Sequence, residues 1–412
     1  MIYIQRVLPY LTLFLSFNIG ATTYFVDVNG SDASPGTRDL PYLTIQKAVN
    51  TVRAGDTVIV RDGEYGDSDK NDYVVRVGAT GTKDNWITIK AQNKYGAKLV
   101  GRNSTGFGVA FIDTARYVRF DGFEITRMRV AGVWGYKSKF ITVSNNHIHH
   151  NGKLLISDCS DGYGRVAIFT NMFTENFVIK NNLIHDNGRT PNPQCDRLPL
   201  AQNHNYRHDH AMYLQGKYHL INNNIIYNHP AGYLIKIDGH VGNANYSKYP
   251  YTHVILNNTF GKLTRGDYSA GGVIRIFNNM TRVKGYGVTS NPKPLIQNNI
   301  FYKPGGPSSD TAVRITDGVN SNVAGTVIIG NATTSKYLYS ENLGFEIQKN
   351  VYASNNLVSI ELPLQNPESN NYGFINNCPN INDFHGMTLN FDIKTYDSEY
   401  IGKQYIGAID KL

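Results

Sequence analysis

The chain has 412 residues and a formal net charge of +8, from 40 Lys and Arg against 32 Asp and Glu, with 28 Tyr and 39 Gly. That length holds several ordinary domains or one long solenoid, and a composition rich in Tyr, Asn and Gly disfavours a helical protein. The cations are scattered rather than gathered in a block, which argues against a nucleic-acid tail and suits a long groove for a polyanion such as an acidic polysaccharide.

Residues 1–21 read as a secretory signal peptide. Arg6 supplies a positive start, residues 7–17 are largely apolar, and Gly20-Ala21 offers small side chains for cleavage. No Cys adjoins that point, which argues against a lipoprotein anchor, and no later apolar run reaches the ~18 residues of a membrane span. The mature chain is expected to be periplasmic or secreted, a monomer, and one domain over residues 22–412. An oxidising compartment permits one disulfide among Cys159, Cys195 and Cys378. Cys159 with Cys195 is the expected pair, and the odd count leaves one thiol free.

Residues 24–28 read as a strand, 30–41 as a turn-rich loop, and 44–53 as the one convincing helix. Its apolar positions Ile45, Ala48, Val49 and Val52 recur at i, i+3, i+4 and i+7, with Thr44 able to cap the start and Gly55 the end. Short strands follow at 57–60, 74–77, 86–90, 109–112, 118–120 and 140–143, separated by turn signals that include Asp121-Gly122. From there a pair of asparagines recurs ahead of apolar residues, at Asn145-Asn146, Asn181-Asn182, Asn223-Asn224, Asn257-Asn258, Asn298-Asn299 and Asn355-Asn356. Such self-similarity marks a stacked-repeat protein, and asparagines stacked coil upon coil can bond into ladders. The expected fold is all-β, a right-handed parallel β-helix solenoid. Its raw first coil requires an N-terminal cap, which the helix would supply. Asp121-Gly122 is read as the same turn as Asn145-Asn146, 24 residues earlier. The later pairs are 36, 42, 34, 41 and 57 residues apart, each read as one coil plus a long insertion. Insertions at 153–163, 189–207, 241–251, 262–270 and 281–294 would wall a groove over the middle coils.

Four strands, at 210–215, 233–238, 272–277 and 311–316, align with one another. Apolar residues alternate in them at period two, so Met212/Leu214, Ile235/Ile237, Ile274/Ile276 and Val313/Ile315 are expected in the core. The intervening residues point outward, with Tyr213, Lys236, Arg275 and Arg314 in one column and Gln215, Asp238, Phe277 and Thr316 in the next. Strands ~4.8 Å apart would bring Tyr213, Lys236 and Arg275 within reach of one sugar ring, with Asp238 beside Lys236 and His208, Asp209 and His210 at the start of the first strand. A plain solvated face is the bland alternative. Stacked Lys and Arg repel unless something negative lies over them, which favours an anion-binding groove. His229 and His240 are read as structural or loop residues.

Tyr24-Phe25-Val26-Asp27, the loop from Gly30 to Gly36, Pro41-Tyr42-Leu43-Thr44-Ile45-Gln46-Lys47-Ala48 and Ala54-Gly55-Asp56-Thr57-Val58 resemble the opening of secreted β-helix polysaccharide lyases. Pectate lyases of polysaccharide lyase family 9 and many alginate lyases begin similarly. His208-Asp209-His210-Ala211-Met212-Tyr213-Leu214 resembles a strand of β-helix uronate lyases, and Tyr400-Ile401-Gly402 with Tyr405-Ile406-Gly407-Ala408 resembles their last strands. The resemblance implies cleavage of a uronic-acid polymer, alginate or a similar polyuronate, by β-elimination. Lys236 would then be the base, Arg275 would neutralise the uronate carboxylate, and Tyr213 would protonate the departing O4. His210 is the rival base, because its ordinary pKa is near neutral. His208, Asp209, Asp238, Arg314 and Gln215 would contact substrate. Calcium often assists such lyases, but the four-Asp cluster of family 9 is not found. Asp158, Asp161, Asp196, Asp209 and Asp238 are scattered, so Ca2+ is compatible and not required. A C5-epimerase on the same polymer shares the proton abstraction, and His208-Asp209-His210 is faintly similar to the Asp-Pro-His-Asp motif of mannuronan epimerases. A non-catalytic β-helix adhesin is the reading from a different class. A glycoside hydrolase needs two or three close carboxylates, and the column offers Asp238 alone.

Overall fold

Short alternating runs can bury one face only by stacking, and the chain stacks them. In a computed structural model the described residues are 20–68, 70–152, 164–189, 208–230, 232–238, 251–262, 273–278, 294–303, 311–317, 326–334, 337–342, 351–357, 359, 361–362 and 364–374. Among them, parallel strands form three long sheets of eleven, nine and nine strands, each coil giving one strand to each sheet in turn. This is a right-handed parallel β-helix. The eleven-stranded sheet runs from Thr23–Val26 to Val351–Ser354, and the groove sheet from Tyr73–Val77 to Tyr337–Asn342. The third sheet runs from Gly63–Tyr65 to Ala332–Thr333. Like stacks on like inside. Ile125, Ile148, Ile184, Ile226, Phe260 and Phe301 are register neighbours, and all are buried.

The asparagine pairs turn the chain between sheets. The first member sits in the left-handed region, with φ from 53° at Asn355 to 57° at Asn181, where asparagine is tolerated and bulkier residues are strained. The second member is turned inward. Asn224 Oδ1 accepts both the backbone N–H and the side-chain amide of Asn182, each at 3.0 Å, and Asn224 Nδ2 donates to Asn258 Oδ1 and to the carbonyl of Ile179, each at 2.9 Å. The same pattern links Asn146, Asn182, Asn224, Asn258, Asn299, Asn331 and Asn356.

Two expected registers are corrected. The 57-residue interval before Asn356 is two coils, because Asn331 continues the ladder 32 residues after Asn299 and 25 before Asn356. Gly330, at φ 63°, replaces the first asparagine there. At the other end Gly122, at φ 84°, occupies the place of Asn145, so Phe123 is the counterpart of Asn146 and donates its N–H to Asn146 Oδ1, 23 residues on. A second, shorter ladder joins Asn151 Nδ2 to Asn187 Oδ1 at 2.9 Å.

The helix spans Ile45–Thr51, shorter than expected at its end. Thr44 Oγ1 accepts from the N–H of Lys47 at 3.1 Å, and Val52 turns extended before Gly55 is reached. Its buried Ile45, Ala48 and Val49 pack toward Thr23–Val26, Thr57–Val60 and Tyr73–Val77. Among the described residues no helix is long and apolar enough to cross a membrane. The expected leader (except its last two residues), Asp158, Asp161, Asp196, Cys159, Cys195, Cys378, His240, most of each insertion and the motif at residues 400–408 lie outside the described residues.

The ladder is buried, so cutting it leaves donors without partners. Asn224→Ala is expected to destabilise the fold by on the order of 3 kcal/mol, for two orphaned donors. A urea midpoint unchanged from the parent would contradict this. Acid should act on buried imidazoles. His219 Nδ1 accepts from the N–H of Phe177 and its Nε2 faces the carbonyl of Gln215, with Thr170, Thr174, Glu175 and His253 around it. Burial pushes His219 and His229 down to about 4. The unfolded chain therefore binds more protons than the folded one between that value and the ordinary ~6.5. Stability should rise with pH across this window and be lost as pH falls through it, as read by urea midpoints against pH.

Candidate active site

The groove sheet sets the column in register. Tyr213 lies opposite Lys236, Lys236 opposite Arg275, and Arg275 opposite Arg314. The alternating partners Met212, Leu214, Ile235, Ile237, Ile274, Ile276, Val313 and Ile315 are buried in the core, as period-two alternation requires. Phe277 and Thr316 hold the expected backbone register, opposite one another.

Lys236, Tyr213 and Asp238 form one polar unit. Lys236 Nζ stands 4.6 Å from the centroid of the Tyr213 ring and 3.5 Å from Asp238 Oδ2. Tyr213 donates its hydroxyl proton to the same Asp238 Oδ2 at 2.8 Å and accepts from Gln215 Nε2 at 3.1 Å. Arg275 lies over Tyr233, its Cζ 5.3 Å from that ring's centroid. The unit is not a bare solvated surface, since Lys236 is 7% exposed and Asp238 2%. Burial, with Arg275 nearby, lowers Lys236 from the usual ammonium value against the pull of Asp238. Burial and the Asp238 carboxylate push the Tyr213 phenol well up, so it stays protonated. The unit thus pairs an amine whose proton is loosened by burial with a phenol that keeps its proton.

Three expected site residues take other places. His210 is buried, and its Nδ1 accepts the backbone N–H of Tyr233 at 3.0 Å. Burial, then the Lys236 charge, holds it well below its ordinary value, hence neutral. The proton is therefore on Nε2, and at rest His210 is a donor rather than the rival base. Asp209 is wholly buried. Its two carboxylate oxygens accept from the N–H groups of Arg165 and Arg189, both at 2.8 Å, and from Arg189 Nε and Nη2 at 2.9 and 2.7 Å. Asp209 anchors the two arginine segments instead of meeting substrate. Gln215 is engaged with the Tyr213 hydroxyl. His208, by contrast, is exposed and lines a cleft. His229 is structural as expected, its Nε2 3.1 Å from the carbonyl of Asp209.

That cleft, of about 780 Å³, begins at Tyr213 and runs over the preceding coils. Its floor is aromatic. Trp134, Phe169 and Tyr213 are successive register partners, with Phe169 and Tyr213 rings 5.5 Å apart and Phe107 stacked 4.8 Å from Trp134. Arg129, paired with Asp72 at 2.7 Å, and Arg165 stand at its edge. These aromatic positions were missed in the sequence, although Ala131–Tyr136 and Val166–Thr170 alternate in the same way as Met212–Leu214. Among the described residues no trio of His, Cys, Asp or Glu gathers in the groove. Asp238 shares its oxygen with a lysine and a phenol, a poor fit for a hard, oxygen-ligated cation.

Comparison with known proteins agrees with this architecture. Residues 24–187 match the family model described as Pel9A-like, right-handed β-helix region. No curated protein sequence matches the chain. An alginate lyase from Paenibacillus sp. str. FPU-7 is similar in structure, with 15% identity, covering 82% of this chain and 95% of that one, at a TM-score of 0.51. Pectate lyase Pel9A shares 13% identity over 95% of this chain and 97% of that one, at a TM-score of 0.48. A rhamnogalacturonan lyase shares 14% over 84% and 90%, at 0.46. At such identities the likeness is one of fold. The chain has the right-handed β-helix fold of polysaccharide lyases, and its first coils match the Pel9A-like region of that fold.

Proposed function

We propose that the protein cleaves a polyuronate by β-elimination where Tyr213, Lys236 and Arg275 adjoin. The observation that carries this reading is the placing of an amine and a phenol on one face, with Lys236 Nζ 4.6 Å from the Tyr213 ring and Asp238 Oδ2 touching both. Arg275 neutralises the uronate carboxylate, so that charge developing at C5 is stabilised as an enolate. Neutral Lys236 removes the C5 proton, the C4–O4 bond breaks, a C4–C5 double bond forms, and Tyr213 gives its proton to O4. Lys236 is then an ammonium and Tyr213 a phenolate. Asp238, bonded to both, is the route by which the proton returns from one to the other.

A base and an acid on the same face suit a syn elimination. That requires H5 and O4 on one side of the ring, as in D-mannuronate and D-glucuronate. D-galacturonate and L-guluronate carry them on opposite sides. The mannuronate blocks of alginate are thus the favoured substrate. The aromatic floor under Trp134, Phe169 and Tyr213 suits the apolar faces of neighbouring sugars, while Arg129 and Arg165 suit their carboxylates. A C5-epimerase would instead return the proton from the opposite face of the ring and give no unsaturated product. A periplasmic or secreted monomer fits a polymer substrate.

The test is a substrate screen followed by absorbance of the unsaturated uronate. Polymannuronate or a glucuronan should give signal, and polyguluronate and polygalacturonate should give far less. Lys236→Ala and Tyr213→Phe should each lower turnover by about 10²- to 10⁴-fold, assayed well below the melting temperature of each variant, which falls in Lys236→Ala because buried Asp238 loses a partner. Parental turnover in Lys236→Ala would overturn the assignment, as would binding of all four polymers with no unsaturated product. The rate should also rise with pH as Lys236 loses its proton, with a midpoint below the ordinary ~10.4 of lysine.

A further inference from the structure

A second concentration of chemical groups lies on the third sheet, which carries none of the groove column. Glu124 belongs to the strand Glu124–Thr126, His147 and His149 to His147–His149, and His185 to Leu183–His185. In register, Glu124 adjoins His147, and His149 adjoins His185. Each alternates with a core residue, Ile125, Ile148 or Ile184, so these side chains share the outward face of three successive coils.

The geometry is that of ligands rather than of a plain surface. Glu124, His147 and His149 each present an atom within 4.8 Å of the others, and His150, His185 and Asp186 do the same beside them. The Nε2 atoms of His147 and His185 are 2.7 Å apart, and His185 Nδ1 lies 2.7 Å from Asp186 Oδ2. The Asp186 carboxylate draws the proton to Nδ1 and leaves the Nε2 lone pair of His185 facing His147, the carboxylate–histidine pattern that orients metal-binding imidazoles. Lys98 Nζ holds Glu124 Oε2 at 2.9 Å, which leaves Oε1 toward His149 Nε2 at 3.4 Å. That Nε2 is buried, with the Glu124 carboxylate beside it. Tyr95 packs on His147 and Tyr227 stacks on His185, fixing both rings.

We propose that Glu124, His147 and His149 bind one divalent transition-metal ion of the zinc class, with His185, oriented by Asp186, adjoining it. Two imidazoles and a carboxylate suit zinc and its neighbours, and leave a further coordination position. The ion would pin adjacent coils together and owes nothing to the groove chemistry.

The experiment uses the tag-free full chain, stripped with chelator, titrated with Zn2+ by calorimetry, and followed for its melting temperature. One equivalent bound, a melting temperature raised by Zn2+ and lowered again by chelator, and loss of the uptake in His147→Ala and in His149→Ala support the site. Asp186→Asn should weaken affinity by about 10- to 100-fold. Absence of uptake by the native chain overturns the proposal and leaves a plain stack of imidazoles. Undiminished uptake by the His147→Ala, His149→Ala double variant overturns it as well. Should these variants fail to fold, Zn2+ protection of His147 and His149 from diethylpyrocarbonate, mapped by mass spectrometry on the native chain, decides the matter, and equal labelling with and without Zn2+ counts against the site.

Discussion

From Asn182 to Asn356 each inward asparagine oxygen of the ladder takes two hydrogen bonds from the coil before it, and the register of the stack follows. Parallel strands have no hairpin to set their alignment, and a slip of one residue would turn core side chains to solvent. The ladder removes that freedom at the corner of each coil. Phe169 and Tyr213 can therefore be register partners although a long stretch of chain intervenes. The intervals between successive rungs run from 25 to 42 residues, yet each rung restarts at the same asparagine.

That floor then solves an electrostatic problem. A lysine, an arginine and a carboxylate in a dry environment are costly alone. Asp238 lies within reach of Lys236 and accepts from Tyr213 with one oxygen, so the charges offset each other without being exposed. The same burial moves Lys236 down and Tyr213 up. Asp209 acts one turn away in a structural manner. By binding Arg189 through both oxygens and holding the N–H of Arg165, it fixes the edge of the aromatic cleft.

Much of this was legible in the sequence because it is periodic. Alternation in four strands assigned inward and outward residues, and the asparagine pairs announced the stack. Where periodicity was broken, reading failed. Gly330 replaces an asparagine that needs only a left-handed backbone, so Asn331 escaped a search for pairs. Gly122 shifted the first rung by one residue for the same reason. Asp209 sits in a His-Asp-His string that invites a chemical role, but its partner Arg189 stands 20 residues earlier and no local pattern shows it. Trp134 and Phe169 were hidden by the insertions that separate them from Tyr213. The histidines of His147–His149 stood beside the asparagines that drew attention away from them, and only stacking brings Glu124 and His185 to their side.

On the proposed reading, the register delivers base, acid and carboxylate anchor to one sugar ring. The decisive experiment is a crystal structure of the Lys236→Ala variant with an oligomannuronate. The expected result is one ring with its carboxylate on Arg275, its C5–H directed at position 236, and its O4 within hydrogen-bond reach of the Tyr213 hydroxyl. An oligosaccharide lying elsewhere, or in the cleft with its carboxylates turned from Arg275 and its O4 remote from Tyr213, would contradict it.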